Sequence, residues 1–411
     1  MPQPGRFIMK VRGYWSPSFI FGYLPFFLLA ILLLLGTPTG CKKQGLEETY
    51  PVRIETEDGL RVVSNPDFPR EGKITPVVVE ELSIGGKEGQ ADYLFNRPIW
   101  IKVDNQERIY VMDWGDVCIK VFDSEGLLLQ SIGRKGQGPG DFDIPAYFDL
   151  MPDGRMAIMD GRNQRVTFLD MQGNYTGSFR VEGYTSGMSC DSQGRVYFQK
   201  QTTQIKLETT GGDFQAIPYT TTIYRSDPEG KNLEKIGDFE GVVRGIRRTR
   251  EGMISISPPF AVLWTVDNQD RLVVGLNARF DLTVFGPDLQ PQFRFRRDYE
   301  LLKDPAYQGK PWQNEYYPAF ERFIILTDDE GNIWLERAIP PKRVEPQEEG
   351  GRPEWIRPSE HIYDVFNSEG IYIREITVPF RIYCVKKGKV YARTKTEEGF
   401  YLIKRYRLEG M

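Results

Sequence analysis

The stretch GQADYLFNRPIWIKVDNQERIYVMDWGDVCIKVFDSEG, residues 89–126, is answered 47 residues later by GQGPGDFDIPAYFDLMPDGRMAIMDGRNQRVTFLDMQG, residues 136–173. The two align without a gap. Nine of the 38 positions are identical: Gly89/Gly136, Gln90/Gln137, Phe95/Phe142, Pro98/Pro145, Arg108/Arg155, Met112/Met159, Asp113/Asp160, Asp123/Asp170 and Gly126/Gly173. Each copy reads as short β-prone runs separated by turn residues. In the first copy, Ile99 to Val103, Arg108 to Met112, Cys118 to Phe122 and Leu127 to Ile132 are strand-like. Asn105-Gln106-Glu107 and Asp123-Ser124-Glu125-Gly126 have turn chemistry, with Gly126 placed where positive φ is easiest.

A period in the forties made of four short strands is the mark of propeller blades. Both faces of these strands carry apolar residues, as expected of sheets stacked between neighbouring sheets. The first turn recurs at Asp191-Ser192-Gln193-Gly194, Asp267-Asn268-Gln269-Asp270, Asp328-Asp329-Glu330-Gly331 and Lys386-Lys387-Gly388, giving six units in all. The sequence therefore predicts an all-β, six-bladed β-propeller with four-stranded antiparallel blades. Their places are near 99–133, 146–180, 187–237, 260–295, 320–377 and 380–407, within a domain spanning 74–411. The last unit lacks a fourth strand. The segment 77–85 has no blade of its own, and its Ser83-Ile84-Gly85 matches Ser131-Ile132-Gly133 at the end of the first blade. The N-terminal strand is thus expected to close the last blade, which removes open sheet edges.

Working outward to the start of the chain, residues 1–46 contain no Asp or Glu. Arg6, Lys10 and Arg12 precede an apolar run from Phe19 to Leu35, then Gly36-Thr37-Pro38-Thr39-Gly40 and Cys41. This is the order of a secretory signal, with the basic end cytoplasmic and the remainder exported. Residues 1–40 are expected to act as signal peptide or membrane anchor, and 41–73, polar and rich in charge, Gly and Pro, as a flexible tether. Gly40-Cys41 resembles a bacterial lipoprotein signal, in which the cysteine becomes the lipidated first residue of the mature chain. Pro38 stands where that family usually has Leu. A retained helix is the alternative, although the 17-residue run is shorter than the roughly 20 residues a span needs.

The Asp-x-x-Gly-x-Ile-Tyr-Val-x-Asp and Val-Phe-Asp-x-x-Gly cores resemble NHL-type six-bladed propellers, in particular those of exported bacterial lipoproteins. The resemblance covers 74–411 and implies the fold. It implies little about function, because such propellers include binders, scaffolds and enzymes.

The chain has 53 basic and 57 acidic residues, with no basic excess to bind nucleic acid. One histidine, His361, argues against multi-histidine zinc sites and histidine-dependent catalysis. Cys41, Cys118, Cys190 and Cys384 form no CxxC pair, and the last three are expected to pack as small buried apolar groups. Asp113, Asp160, Asp123 and Asp170 recur at strand ends and turns, where a carboxylate accepts backbone N–H groups. They are read as structural. Candidate ligand-binding residues gather where first strands begin and where second strands end: Asn96, Arg97, Trp100, Trp114, Tyr147, Arg162, Asn163, Arg165, Phe260 and Phe320. Aromatic faces with guanidinium groups suit a carbohydrate, a peptide or an anion. The expected role is non-enzymatic binding of an envelope protein, peptide or carbohydrate, with no cofactor. The alternative is a metal-dependent, lactonase-like hydrolase with a tunnel Ca²⁺, or a lyase.

Overall fold

The computed structural model describes residues 50–86, 91–183, 185–203, 214–217, 219–241, 244–249, 252–256, 260–309, 315–321, 325–345 and 354–411. The signal segment and Cys41 lie outside them. No helix among the described residues is long and apolar enough to cross a membrane.

Six antiparallel sheets form the blades of the expected propeller. Blade one holds Pro98–Val103, Ile109–Asp113, Cys118–Phe122 and Leu128–Ile132, and blade two Pro145–Leu150, Met156–Asp160, Arg165–Leu169 and Tyr175–Arg180. Blade three is built from Thr185–Cys190, Val196–Thr203, Tyr219–Ser226 and Glu234–Glu240. Blade four takes Val262–Val266, Leu272–Leu276, Asp281–Phe285 and Pro291–Arg297; blade five Leu326–Thr327, Ile333–Glu336, His361–Phe366 and Tyr372–Val378. Blade six takes Ile382–Lys386, Lys389–Lys395 and Tyr401–Glu409 from the end of the chain and Val77–Gly85 from its beginning.

Six clusters of buried side chains fill the six seams. Met112 packs with Phe148 between blades one and two, Phe168 with Phe198 between two and three, and Tyr197 with Leu272 between three and four. Phe295 meets Phe366 between four and five, Tyr363 meets Val390 between five and six, and Ile109 meets Tyr391 across the closure. The apolar residues on both faces of each strand are what this stacking buries.

The repeated Ser-Ile-Gly has a steric cause. Gly85 and Gly133 lie at φ 110° and 92°, which disfavours any side chain. A Cβ on Gly133 would stand 2.2 Å from the Phe142 ring, and one on Gly85 3.1 Å from the Phe95 ring and 2.6 Å from the Tyr401 carbonyl oxygen. Phe95 and Phe142 are themselves a repeat pair. At these two exits, from blades six and one, the residue must be glycine because the next blade's phenylalanine sits on it.

The flexible tether expected over 41–73 is corrected for its described part. Arg53–Glu57 and Leu60–Asn65 form a hairpin that adds, in parallel, to Pro291–Arg297 of blade four. Lys73–Ile74 adds in parallel to Tyr372–Val378 of blade five. With Val77–Gly85 in blade six, residues 53–85 form a belt along the outer edges of three consecutive blades. The belt is anchored by Asn65, 1% exposed, which donates to the carbonyl oxygens of Arg296 and Gly370 and accepts from Tyr372 N–H.

Topology divides the two ends of the tunnel. Connections between first and second strands, and between third and fourth, are tight turns on one face. The Oδ1 atoms of Asp104, Asp191, Asp267 and Asp328 each accept there from N–H groups two and four residues on. Connections between second and third strands, and between blades, lie on the other face. The described parts of four long insertions, 204–218, 241–261, 298–325 and 337–360, follow such connections. They carry a small sheet (Phe214–Ile217, Arg244–Thr249, Gly252–Ile256) and a hairpin (Lys342–Val344, Glu354–Ile356).

Candidate functional site

The strand-end carboxylates set the rim of the tunnel on the insertion face. Asp113 accepts the N–H groups of Asn96 and Arg97 at 2.8 and 2.7 Å, and Asp160 those of Asp143 and Ile144 at 2.8 and 3.0 Å. In blade four Asn277 does the same for Ala261 N–H. Each second strand thereby holds the segment that leads into its own first strand, and first-strand side chains are aimed into the tunnel mouth.

A cavity of about 1000 Å³ occupies that mouth. Blades one and two supply a ring pair, Trp100 and Tyr147, with centroids 5.2 Å apart and planes tilted by 32°. Trp100 Nε1 donates to the Ala146 carbonyl oxygen at 2.7 Å, and Trp264 Nε1, from blade four, to Gln199 Oε1 at 2.6 Å. Both indoles therefore spend their N–H within the wall and present ring faces to the space. Gly187 stands four residues before Asp191, as Trp100 stands before Asp104. Blade three thus contributes no ring at this level, and a Cβ there would lie 3.3 Å from the Trp264 indole.

Charge on the wall is of one sign. Arg97, Lys102, Arg162, Arg381 and Arg393 line the cavity, and no carboxylate does among the described residues. Three of these cations are neutralised from behind. Lys102 Nζ meets Asp149 at 2.8 Å, Arg381 meets Glu336 at 2.7 Å, and Arg162 meets Asp143 at 3.4 Å. Enclosure works against the Lys102 charge, but the Asp149 carboxylate outweighs it and holds the ammonium's pKa above its ordinary value. Asp149 is itself saturated, accepting also from Ser189 Oγ and from the N–H groups of Cys190 and Leu150.

Of the residues expected from the sequence, Arg97, Trp100, Trp114, Tyr147, Arg162 and Phe260 meet in this cavity. Four do not line it. Phe320 is fully buried, a wedge against Phe280 at 5.6 Å between blades four and five. Arg165 clamps the glycine-rich connection through the carbonyl oxygens of Gln137, Gly138 and Asp141. Asn163 donates to Gly136 O and Asp160 Oδ2, and the Asn96 side chain packs beneath Gly115. In each case the polar or aromatic group completes the scaffold instead of facing the ligand space. The sequence reading missed Lys102, Gln199, Gln201, Trp264, Arg381, Tyr383 and Arg393. Trp264 had a signal, since it precedes the recurring turn at Asp267.

The three thiols within the described residues are unpaired. Burial pushes the thiols of Cys118 and Cys384 up to about 11, and that of Cys190 well above its ordinary value, so none is poised as a nucleophile.

A family model described as a 6-bladed beta-propeller, DUF5128, matches residues 88–234. Among solved structures, a candidate exported protein of Bacteroides fragilis is 10% identical with a TM-score of 0.50, covering 85% of this chain and 99% of its own. A member of the DUF4221 family from Bacteroides vulgatus is 12% identical with a TM-score of 0.50, covering 81% and 98%. A gluconolactonase of Xanthomonas campestris is 11% identical with a TM-score of 0.40, covering 81% and 99%. The first two likenesses extend to the propeller fold alone. No curated protein matches the chain.

Proposed function

We propose that this chain is an exported propeller, anchored in the cell envelope through lipidated Cys41, that binds carbohydrate in the tunnel cavity without transforming it. The observation that carries the reading is the wall itself. Trp100, Tyr147, Trp114 and Trp264 offer flat apolar faces to a space large enough for several sugar rings. Thr185, Ser189, Gln199, Gln201 and Thr265 stand among them as neutral hydrogen-bonding partners for hydroxyl groups.

The donor set speaks against the hydrolase alternative. Ca²⁺ takes six to eight oxygen ligands. No group of three or more His, Cys, Asp or Glu residues suited to a metal exists among the described residues, and Asp149 is already saturated. The four long insertions follow connections on the cavity's face, which supports that face as the working one.

Trp100, Trp114 and Trp264 line the cavity, so occupancy should alter intrinsic fluorescence. Titration of the purified chain with a panel of oligosaccharides and, in parallel, short peptides tests the reading. Saturable responses to carbohydrate support it. Responses to peptides alone, or turnover of any bound sugar, overturn it.

A further inference from the structure

The five cations of the cavity are not equivalent. Lys102, Arg162 and Arg381 have carboxylate partners, whereas Arg97 and Arg393 have none among the described residues. Arg97 lies with its guanidinium 4.5 Å from the Trp114 ring centroid. Arg393 is half-buried between the rings of Tyr383 and Tyr401, at 5.2 and 5.4 Å, and donates from Nη1 to the Pro98 carbonyl oxygen at 2.5 Å. Pro98 follows Arg97 directly, so the two guanidinium groups converge on one short segment at the seam of blades six and one.

Aromatic contact fixes the place of both planar groups and leaves N–H donors for a further acceptor. A guanidinium held without a carboxylate inside a cleft is matched best by a planar anion that takes two parallel N–H bonds. The rest of the wall is asymmetric in the complementary sense. Thr185, Ser189, Gln199, Gln201 and Thr265 belong to blades three and four, across the cavity, and carry no charge. One side of the space is built for an acid, the other for hydroxyl groups.

We propose that Arg97 and Arg393 form an anion subsite that selects acidic carbohydrate, holding the carboxylate of a uronic acid while its ring lies against the indoles. This rests on the cavity being a carbohydrate site, and the test separates the two. A panel of galacturonate, glucuronate and mannuronate oligosaccharides is measured by isothermal titration calorimetry beside the methyl ester of each, which keeps the ring and removes the charge. The wild-type chain should bind at least one acid tenfold or more tighter than its ester, with affinity falling as salt rises. Arg97→Gln and Arg393→Gln should each reduce that preference to threefold or less, the acid losing more affinity than its ester. Arg97 is exposed at the rim, so Arg97→Gln remains informative should loss of Arg393 disturb folding. Equal binding of acid and ester, or a preference that survives in both variants, overturns the subsite and leaves the carbohydrate reading standing. Binding of neither form overturns the subsite, and joined to silence from the broader oligosaccharide panel it overturns the carbohydrate reading itself.

Discussion

The N–H of Arg97 donates to Asp113 Oδ1 at 2.7 Å, and its guanidinium lies over the ring of Trp114, the residue that follows Asp113. Trp114 N–H in turn donates to the Arg97 carbonyl oxygen at 3.0 Å. One scaffold carboxylate thus fixes both partners of a stacked pair at the cavity rim. Asp113→Ala should cost about 1–3 kcal/mol for each N–H it orphans and should also weaken ligand binding. Asp160→Ala should carry a similar stability cost in blade two. Denaturant titration of both variants, with ligand affinity measured alongside, checks this.

Asn65 joins the belt to blades four and five through three backbone groups at once. Asn65→Ala should lower stability by several kcal/mol, since each buried group left unpaired costs about 1–3 kcal/mol. The same loss should speed hydrogen exchange in 60–65 and 372–376, leaving blades one and two protected. Exchange monitored by mass spectrometry reads both effects.

Glu375 gives the fold an acid limit. Burial alone would raise its pKa, but Arg337, 2.7 Å away, and Lys73 pull it below the ordinary 4.5. The folded carboxyl therefore holds its proton less tightly than the unfolded one. Its stabilisation is complete above the ordinary value and fades as pH falls through it to the depressed folded value. Wild type should melt above Glu375→Gln at neutral pH, and the gap should narrow as pH falls through the ordinary 4.5 toward the depressed folded value. A gap that widens on acidification would contradict the assignment.

Cys118, Cys190 and Cys384 should resist alkylation in the folded chain. With thiols at about 11, only about one in a thousand of Cys118 and Cys384 is thiolate at pH 8. Iodoacetamide labelling should be slow until denaturant is added, then rapid at all three. Cys41 should carry a diacylglyceryl thioether in the mature chain, and Cys41→Ala should release the protein from the membrane fraction.

The sequence reached the fold because Phe95/Phe142, Asp113/Asp160 and the glycine exits repeat for steric and hydrogen-bonding reasons that survive divergence. It reached part of the cavity wall for the same reason, since Trp100 and Tyr147 stand at one repeat position. The remainder was hidden by two effects. Insertions break the period in blades three to five, so Gln199 had no aligned partner and Trp264 was marked only by the turn at Asp267 that follows it. Arg393 acts on Pro98, 295 residues away, through a closure that brings the chain ends together. The belt did have a local signal that composition masked. Asp58-Gly59, at φ 51° and 81°, is a two-residue hairpin turn between Glu57 and Leu60.

The most direct test of the account is the affinity of a bound oligosaccharide for wild type, Trp114→Ala and Tyr175→Ala, measured by calorimetry on chains shown to be folded. Trp114 lines the cavity, and Tyr175 is exposed on the outer strand of blade two. The account predicts at least a tenfold loss with Trp114→Ala and none with Tyr175→Ala. Undiminished binding by Trp114→Ala, or a loss confined to Tyr175→Ala, would contradict the placement of the ligand in the tunnel.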